Sequence, residues 1–209
     1  TSSSNTVNEQ VSLVGTTTTL STSSSQVFSG QPVTFTAQVT GETNVVGVPT
    51  GSVTFYRDGT ALGTAGLTSG TATLSTQFTS GTYTITATYN PNTNFATSSS
   101  NTVNEQVSLV GTTTTLAASP NPATPGQQVT LTAQVTGETN VVGVPTGSVT
   151  FYRGGTVIGN AGLSNGTATL TTSFTAGSYD ITATYNPNTN FATSTSNTVN
   201  EQVGLISTT

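Results

Sequence analysis

The sequence predicts an all-β chain of tandem seven-stranded β-sandwiches joined end to end. Three observations lead there. The stretch Thr1–Leu20, TSSSNTVNEQVSLVGTTTTL, recurs letter for letter at Thr97–Leu116, and a shortened, altered copy starts at Thr193, an offset of 96 residues each time. A period of that length suits a small domain with its own core, repeated in tandem. Between the copies, apolar residues alternate with Thr, Ser and Gln in short runs, which is the period of half-buried strands. Gly-, Pro- and Asn-rich turn signals separate those runs.

Repeat one spans 16–111 and repeat two 112–207. Residues 1–15 match the last strand of a preceding repeat whose body is absent, or a strand given to another subunit; 208–209 open a further repeat. Each repeat starts on TTTTL (Thr16–Leu20, Thr112–Leu116), whose β-branched residues favour extended backbone. The next segment differs, STSSSQVFSGQP against AASPNPATPGQQ, and Pro120, Pro122 and Pro125 would interrupt an edge strand there. Val33–Thr40 follows, with Val33, Phe35, Ala37 and Val39 on one face and Thr34, Thr36, Gln38 and Thr40 on the other. Pro49 and Gly51 close a loop into Ser52–Arg57, which turns Val53 and Phe55 inward. Asp58-Gly59, replaced by Gly154-Gly155, suits a tight hairpin into a short strand around Ala61–Leu62. Gly70–Thr76 points Ala72 and Leu74 inward; Tyr83–Tyr89 sets Tyr83, Ile85, Ala87 and Tyr89 against a row of Thr. Asn90–Asn94 is a turn. The last strand lies within Asn101–Leu109, with Val103, Val107 and Leu109 in phase. Glu105 shares that phase, which calls for a bulge that re-aims it or an open strand end. Seven such strands, each apolar on one face, make a two-sheet sandwich.

Only 4% of the 209 residues are charged; the net charge is −5, and the cations are Arg57 and Arg153. Such a surface cannot neutralise a run of phosphates, which argues against a nucleic-acid partner. It lacks a basic stripe for anionic lipid, and no run reaches membrane-spanning length, so direct membrane insertion is not expected. Cys, His, Met and Trp are absent, which removes disulfides, thiol nucleophiles and the usual general base. The acids are scattered, so no catalytic residue, cofactor or metal is assigned and no enzyme is expected. Abundant Ser and Thr would also suit a disordered stalk, but disordered tracts do not alternate. The chain starts in mid-repeat, as a mature fragment or a window onto a longer polypeptide would.

PTGSVTFY (Pro49–Tyr56), GTATLST (Gly70–Thr76) and GTYTITATYNPNTNFATS (Gly81–Ser98) resemble the bacterial Ig-like repeats of the group-3 type, and TTTTL looks like that family's opening. The resemblance covers each repeat nearly end to end. It implies tandem Ig-like sandwiches in a large secreted or cell-surface bacterial protein, commonly a stalk or adhesin segment, with no shared catalytic residues. Phe78-x-x-Gly81-x-Tyr83, repeated by Phe174, Gly177 and Tyr179, also looks like a tyrosine corner, in which the hydroxyl bonds back to nearby backbone. The alternative is that Tyr83 and Tyr179 are plain core aromatics.

The remaining candidates concern the joint and the surface. Glu42 and Glu105 recur as Glu138 and Glu201, but no Asp-rich run accompanies them as calcium would need. A Thr–Gln ester between a Thr of TTTTL and Gln106 competes with ordinary ladder pairing. Tyr56 and Tyr152 are the outward aromatics a glycan site would use, although a β-surface Tyr is commonly structural. Asn165-Gly166-Thr167 is a glycosylation sequon, read as chance because repeat one has Ser69 in place of Asn165. Only Val110-Gly111 separates one repeat's last strand from the next repeat's first. In an Ig-type sandwich the loops bearing Val45, Val46, Val48 and Phe95, and their counterparts Val141, Val142, Val144 and Phe191, should face the preceding unit. They either cap that neighbour or fold onto their own core. The functional expectation is an extracellular rod, a filament or surface stalk whose partners are neighbouring repeats or identical chains. The other reading is an adhesin segment with a glycan or cell-surface ligand, or subunits joined by donor-strand exchange.

Overall fold

The computed structural model describes residues 5, 7–43, 47–92, 94–138 and 143–204. Every element in them is a β-strand, and the chain forms two compact units.

The first unit runs β1 (Thr16–Thr22), β2 (Gln26–Phe28), β3 (Pro32–Gly41), β4 (Gly51–Arg57), β5 (Thr60–Gly66), β6 (Thr71–Gln77), β7 (Gly81–Pro91), β8 (Ser98–Ser99) and β9 (Val103–Ser108). One sheet has the order β1-β3-β6; the other has β2-β9-β7-β4-β5, with β8 also on β7. Register follows the apolar alternation. In β3, Val33, Phe35 and Ala37 are fully buried and Val39 nearly so. Val53 and Phe55 of β4, with Ile85, Ala87 and Tyr89 of β7, bury completely on the facing sheet. A one-residue slip would exchange most of these for Thr, Gln and Ser, so the core fixes the pairing. Phe55 lies opposite Ala87 on one side and Gly63 on the other, a large side chain beside small ones.

The second unit repeats this with β10 (Thr112–Ser119), β11 (Gln128–Gly137), β12 (Gly147–Arg153), β13 (Thr156–Gly162), β14 (Thr167–Ser173), β15 (Gly177–Pro187), β16 (Ser194–Thr195) and β17 (Val199–Val203). Its sheets are β10-β11-β14 and β13-β12-β15, with β16 and β17 both on β15. Its core holds Val110, Leu131, Phe151, Ile181, Tyr185 and Phe191 among others. The proline-rich segment forms only the isolated parallel bridge Ala123–Val203 where the first unit has β2. Proline supplies no N–H for a ladder, which accounts for the difference.

Tight turns sit where expected. Asp58 (φ 49°) and Gly59 (φ 79°) occupy the left-handed region, as do Gly154 (φ 53°) and Gly155 (φ 81°). Gly51 and Gly147 (φ 122° and 126°) are obligatory for a second reason: a Cβ at either would strike the carbonyl oxygen of Asn90 or Asn186.

Three expectations need correction. The strand after the Asp58-Gly59 turn is a full Thr60–Gly66 that absorbs an extra residue where the register shifts at Phe55/Tyr56. Leu109 is not a core residue; β9 ends at Ser108 and Leu109 is 39% exposed. Glu105 is neither re-aimed nor at an open end, since it lies inside β9 with 0% exposure.

Candidate functional site: the seam between first and last strands

Strand β1 and the segment leading into β9 belong to different sheets, so no backbone ladder joins them. Side chains do. Thr16 Oγ1 donates to the Ala96 carbonyl (2.8 Å) and lies 2.8 Å from Ser98 Oγ, which bonds Thr18 Oγ1 at 2.7 Å. Asn101 clamps the Leu20 backbone, its Oδ1 accepting from the N–H (2.9 Å) and its Nδ2 donating to the carbonyl (3.1 Å). Thr22 Oγ1 then meets Glu105 Oε2 at 3.0 Å, and Gln106 N–H donates to the Ser25 carbonyl at 3.0 Å. Partner numbers rise together along both segments, so the two run parallel.

The second unit carries the same seam. Thr112 and Thr114 meet Ser194 at 2.7 Å each, Thr112 donates to the Ala192 carbonyl (2.8 Å), and Asn197 clamps Leu116 through bonds of 2.9 and 3.1 Å. The neighbouring hydroxyls tie the same segment to its own sheet. Thr97 donates to the Tyr89 carbonyl (2.6 Å), and Ser100 Oγ accepts from Ala87 N–H (2.9 Å). The repeated stretch at Thr97–Leu116 therefore holds both halves of a seam: Thr97, Ser98, Ser100, Asn101 and Glu105 close the first unit, while Thr112, Thr114 and Leu116 open the second. Low-complexity Ser and Thr here are specific hydrogen-bonding groups.

The seam ends on a buried carboxyl in each unit. Glu105 and Glu201 are 0% exposed. Burial pushes the Glu105 carboxyl above the ordinary range, opposed in part by the Thr22 bond, and pushes Glu201 up with no opposing bond.

Of the predicted corner residues, Tyr179 donates to the Thr175 carbonyl (3.0 Å), lies 2.9 Å from its Oγ1, and stacks on Phe174 with ring centres 5.1 Å apart. Arg153 lies over the same ring at 5.5 Å, and Arg57 over that of Tyr83 at 5.4 Å, within cation–π range. Tyr83 packs its phenol end against Gly81. Sequence reasoning placed Tyr89 on the inward face but missed what it holds. The buried hydroxyls of Tyr89 and Tyr185 donate to the Thr50 and Thr146 carbonyls at 2.6 and 2.7 Å, fixing the loops that enter β4 and β12. The available signal was an inward Tyr at the end of an apolar strand, whose hydroxyl must find a partner. Tyr89→Phe and Tyr185→Phe each leave a carbonyl unpartnered and should cost about 1–3 kcal/mol in chemical denaturation.

The joint candidates divide. Val45, Val46, Val141 and Val142 lie outside the described residues. Val48 and Val144 are each 58% exposed. Phe95 and Phe191 are buried, bridging to Val14 and Val110 and packing near Gly41 and Gly137. Tyr56 and Tyr152 are half-buried on strand faces. The proposed Thr–Gln pair does not meet: the Gln106 amide oxygen accepts from Gln26 at 3.4 Å, and the hydroxyls of Thr16, Thr18 and Thr19 are turned to Ala96, Ser98 and Gln38. Among the described residues, no three Asp or Glu gather as a metal site. Asn165 takes the left-handed turn position (φ 49°) that Ser69 takes in the first unit.

A model of the bacterial Ig-like domain (group 3) matches residues 18–108 and again 115–204. No curated protein matches. Among solved structures the chain is similar to the fibronectin(III)-like modules of Clostridium thermocellum CbhA, at 16% identity over 88% of this chain and 94% of that one, TM-score 0.37. It is similar to the D0-D1 domain of intimin at 22% identity over 90% and 99%, TM-score 0.35. It is also similar to the Yersinia pseudotuberculosis adhesin InvE at 18% identity over 90% and 59%, TM-score 0.38.

Proposed function

We propose a load-bearing role for this chain, which belongs to the bacterial Ig-like domain family (group 3). It serves as a stalk segment of a bacterial surface protein, with further units of the same kind as its neighbours along the line of tension. The seam is the observation that carries this reading. The first and last segments of each unit run parallel and are joined by bonds at Thr16, Thr18, Leu20 and Thr22 in the first unit and at Thr112, Thr114 and Leu116 in the second. Tension enters a tandem unit at its first strand and leaves at its last. Pulled from opposite ends, parallel strands slide past one another, so these bonds are sheared together rather than opened one by one. Forced unfolding is governed by the rate of barrier crossing, and simultaneous rupture raises that barrier.

The low charge fits a passive spacer, since few of its contacts are screened by salt. The adhesive reading has no comparable support, because Tyr56 and Tyr152 lie on strand faces rather than at loop tips. Stretching the chain between its ends in a single-molecule instrument tests the proposal. Two abrupt events of similar force are expected, each releasing about 30 nm at about 3.4 Å per residue. Smooth extension without force peaks would sink it.

A further inference from the structure

Each unit buries a carboxyl on its last strand and leaves oxygens with no partner among the described residues: Oε1 of Glu105, and both oxygens of Glu201. The groups facing them are few. Across the β15–β17 pair, Glu201 lies opposite Tyr179, whose ring stacks with Arg153. Arg153 makes no bond to Glu201. Asp180 sits next to Tyr179 and accepts from Asn200 Nδ2 at 2.8 Å, in the exposed layer. In the first unit, β7 brings Tyr83 under Arg57, β2 brings uncharged Gln26, Val27 and Phe28, and β1 brings Thr22. Ala118 occupies the Thr22 position in the second unit.

Thr22 Oγ1 lies 2.8 Å from the Ser24 carbonyl and 3.0 Å from Glu105 Oε2, both acceptors when the carboxyl is ionised. A hydroxyl has one proton to give. Both contacts are satisfied together when the carboxyl is protonated and donates to Thr22 while Thr22 donates to Ser24. An ionised Glu105 still keeps one donor by taking that proton from Ser24. An ionised Glu201 has none among the described residues.

We propose that each buried glutamate is a proton-linked latch on the last strand: protonated, it holds the strand in the sandwich; ionised, it weakens that hold, and the second unit loosens before the first. The proposal stands independently of the load-bearing reading, because it concerns when the seam closes rather than what pulls on it. The sign follows from burial. A carboxyl whose folded pKa is raised contributes stability that is fully present below the ordinary glutamate value of about 4.3 and is lost as pH rises through the raised value. Between those limits up to one proton is released on opening, so the strand's opening constant rises with pH, by at most about tenfold per pH unit. The direction is opposite to ordinary acid denaturation.

Amide hydrogen exchange on the full chain at about pH 5 and about pH 8, corrected for intrinsic rates, reads this strand by strand. The opening constant across Val199–Val203 is expected to rise from the lower pH to the higher, and that across Val103–Ser108 to rise less. Glu201→Gln should flatten the Val199–Val203 profile and leave Val103–Ser108 unchanged. Ala118→Thr should slow opening of Val199–Val203 at about pH 8. Equal protection at both pH values, or an undiminished slope in Glu201→Gln, would overturn the proposal. If Glu201→Gln does not fold, Ala118→Thr decides, and unchanged opening at about pH 8 counts against the latch.

Discussion

Phe151→Ala should cost the second unit about 3–5 kcal/mol and leave the first unit folded. Phe151 is fully buried, and its cross-strand neighbours are Ala183 and Gly159. Neither has a side chain long enough to fill the space a lost phenyl ring leaves, so the cavity persists and the cost lies at the upper end of the range. A domain of this size has about 5–15 kcal/mol in total, so the loss is a large share. The buried residues clustered with Phe151 all lie between Val110 and Val203, which is why the damage should stay local. Chemical denaturation is therefore expected to split into two transitions, the earlier from the second unit. Phe55→Ala, with neighbours Ala87 and Gly63, should reverse the order. A single transition that moves as a whole in either variant would mean the units fold as one.

Asn101→Ala and Asn197→Ala should each lower the stability of their own unit by about 1–3 kcal/mol. One side chain satisfies both the N–H and the carbonyl of Leu20, or of Leu116. Those backbone groups point away from the β1–β3 and β10–β11 ladders toward the other sheet, where Ala offers nothing. The loss combines two hydrogen bonds with two partly buried groups left unpaired. Asn101→Asp separates the two contributions, since a carboxylate can accept from the N–H but cannot donate to the carbonyl. It should fall between the wild type and Asn101→Ala. No loss in Asn101→Asp, which keeps the shape of the side chain, would point to packing rather than the clamp.

The sandwich was legible because its core obeys a strict period of two. Val33, Phe35, Ala37 and Val39 announce their shared face, and Asp58-Gly59 announces its turn. The seam was not legible as chemistry, although the stretch that carries it was the clearest feature of the sequence. Periodicity reports which residues face inward; it does not report which hydroxyl meets which. Thr16 and Thr18 find Ser98 only after the sheets stack, across some eighty positions of sequence. Glu105 shows the same limit. A charge in an apolar phase suggests a bulge or an open end, since burying a carboxylate is costly. The chain keeps the register and buries a carboxyl that burial itself biases toward the neutral form. Leu109 was placed in the core on phase alone, but its strand stops one residue earlier.

The measurement that bears most directly on the seam is single-molecule unfolding force, comparing Asn101→Ala/Asn197→Ala with Tyr89→Phe/Tyr185→Phe. Both double variants lose a similar amount of equilibrium stability, about 1–3 kcal/mol per unit. They differ in place: the asparagines bridge the first and last segments, whereas the tyrosines anchor the loops entering β4 and β12. A load-bearing seam predicts that the asparagine pair lowers the force of both unfolding events while the tyrosine pair leaves it near wild type. Equal loss of force in the two variants, or none in the asparagine pair, would contradict it.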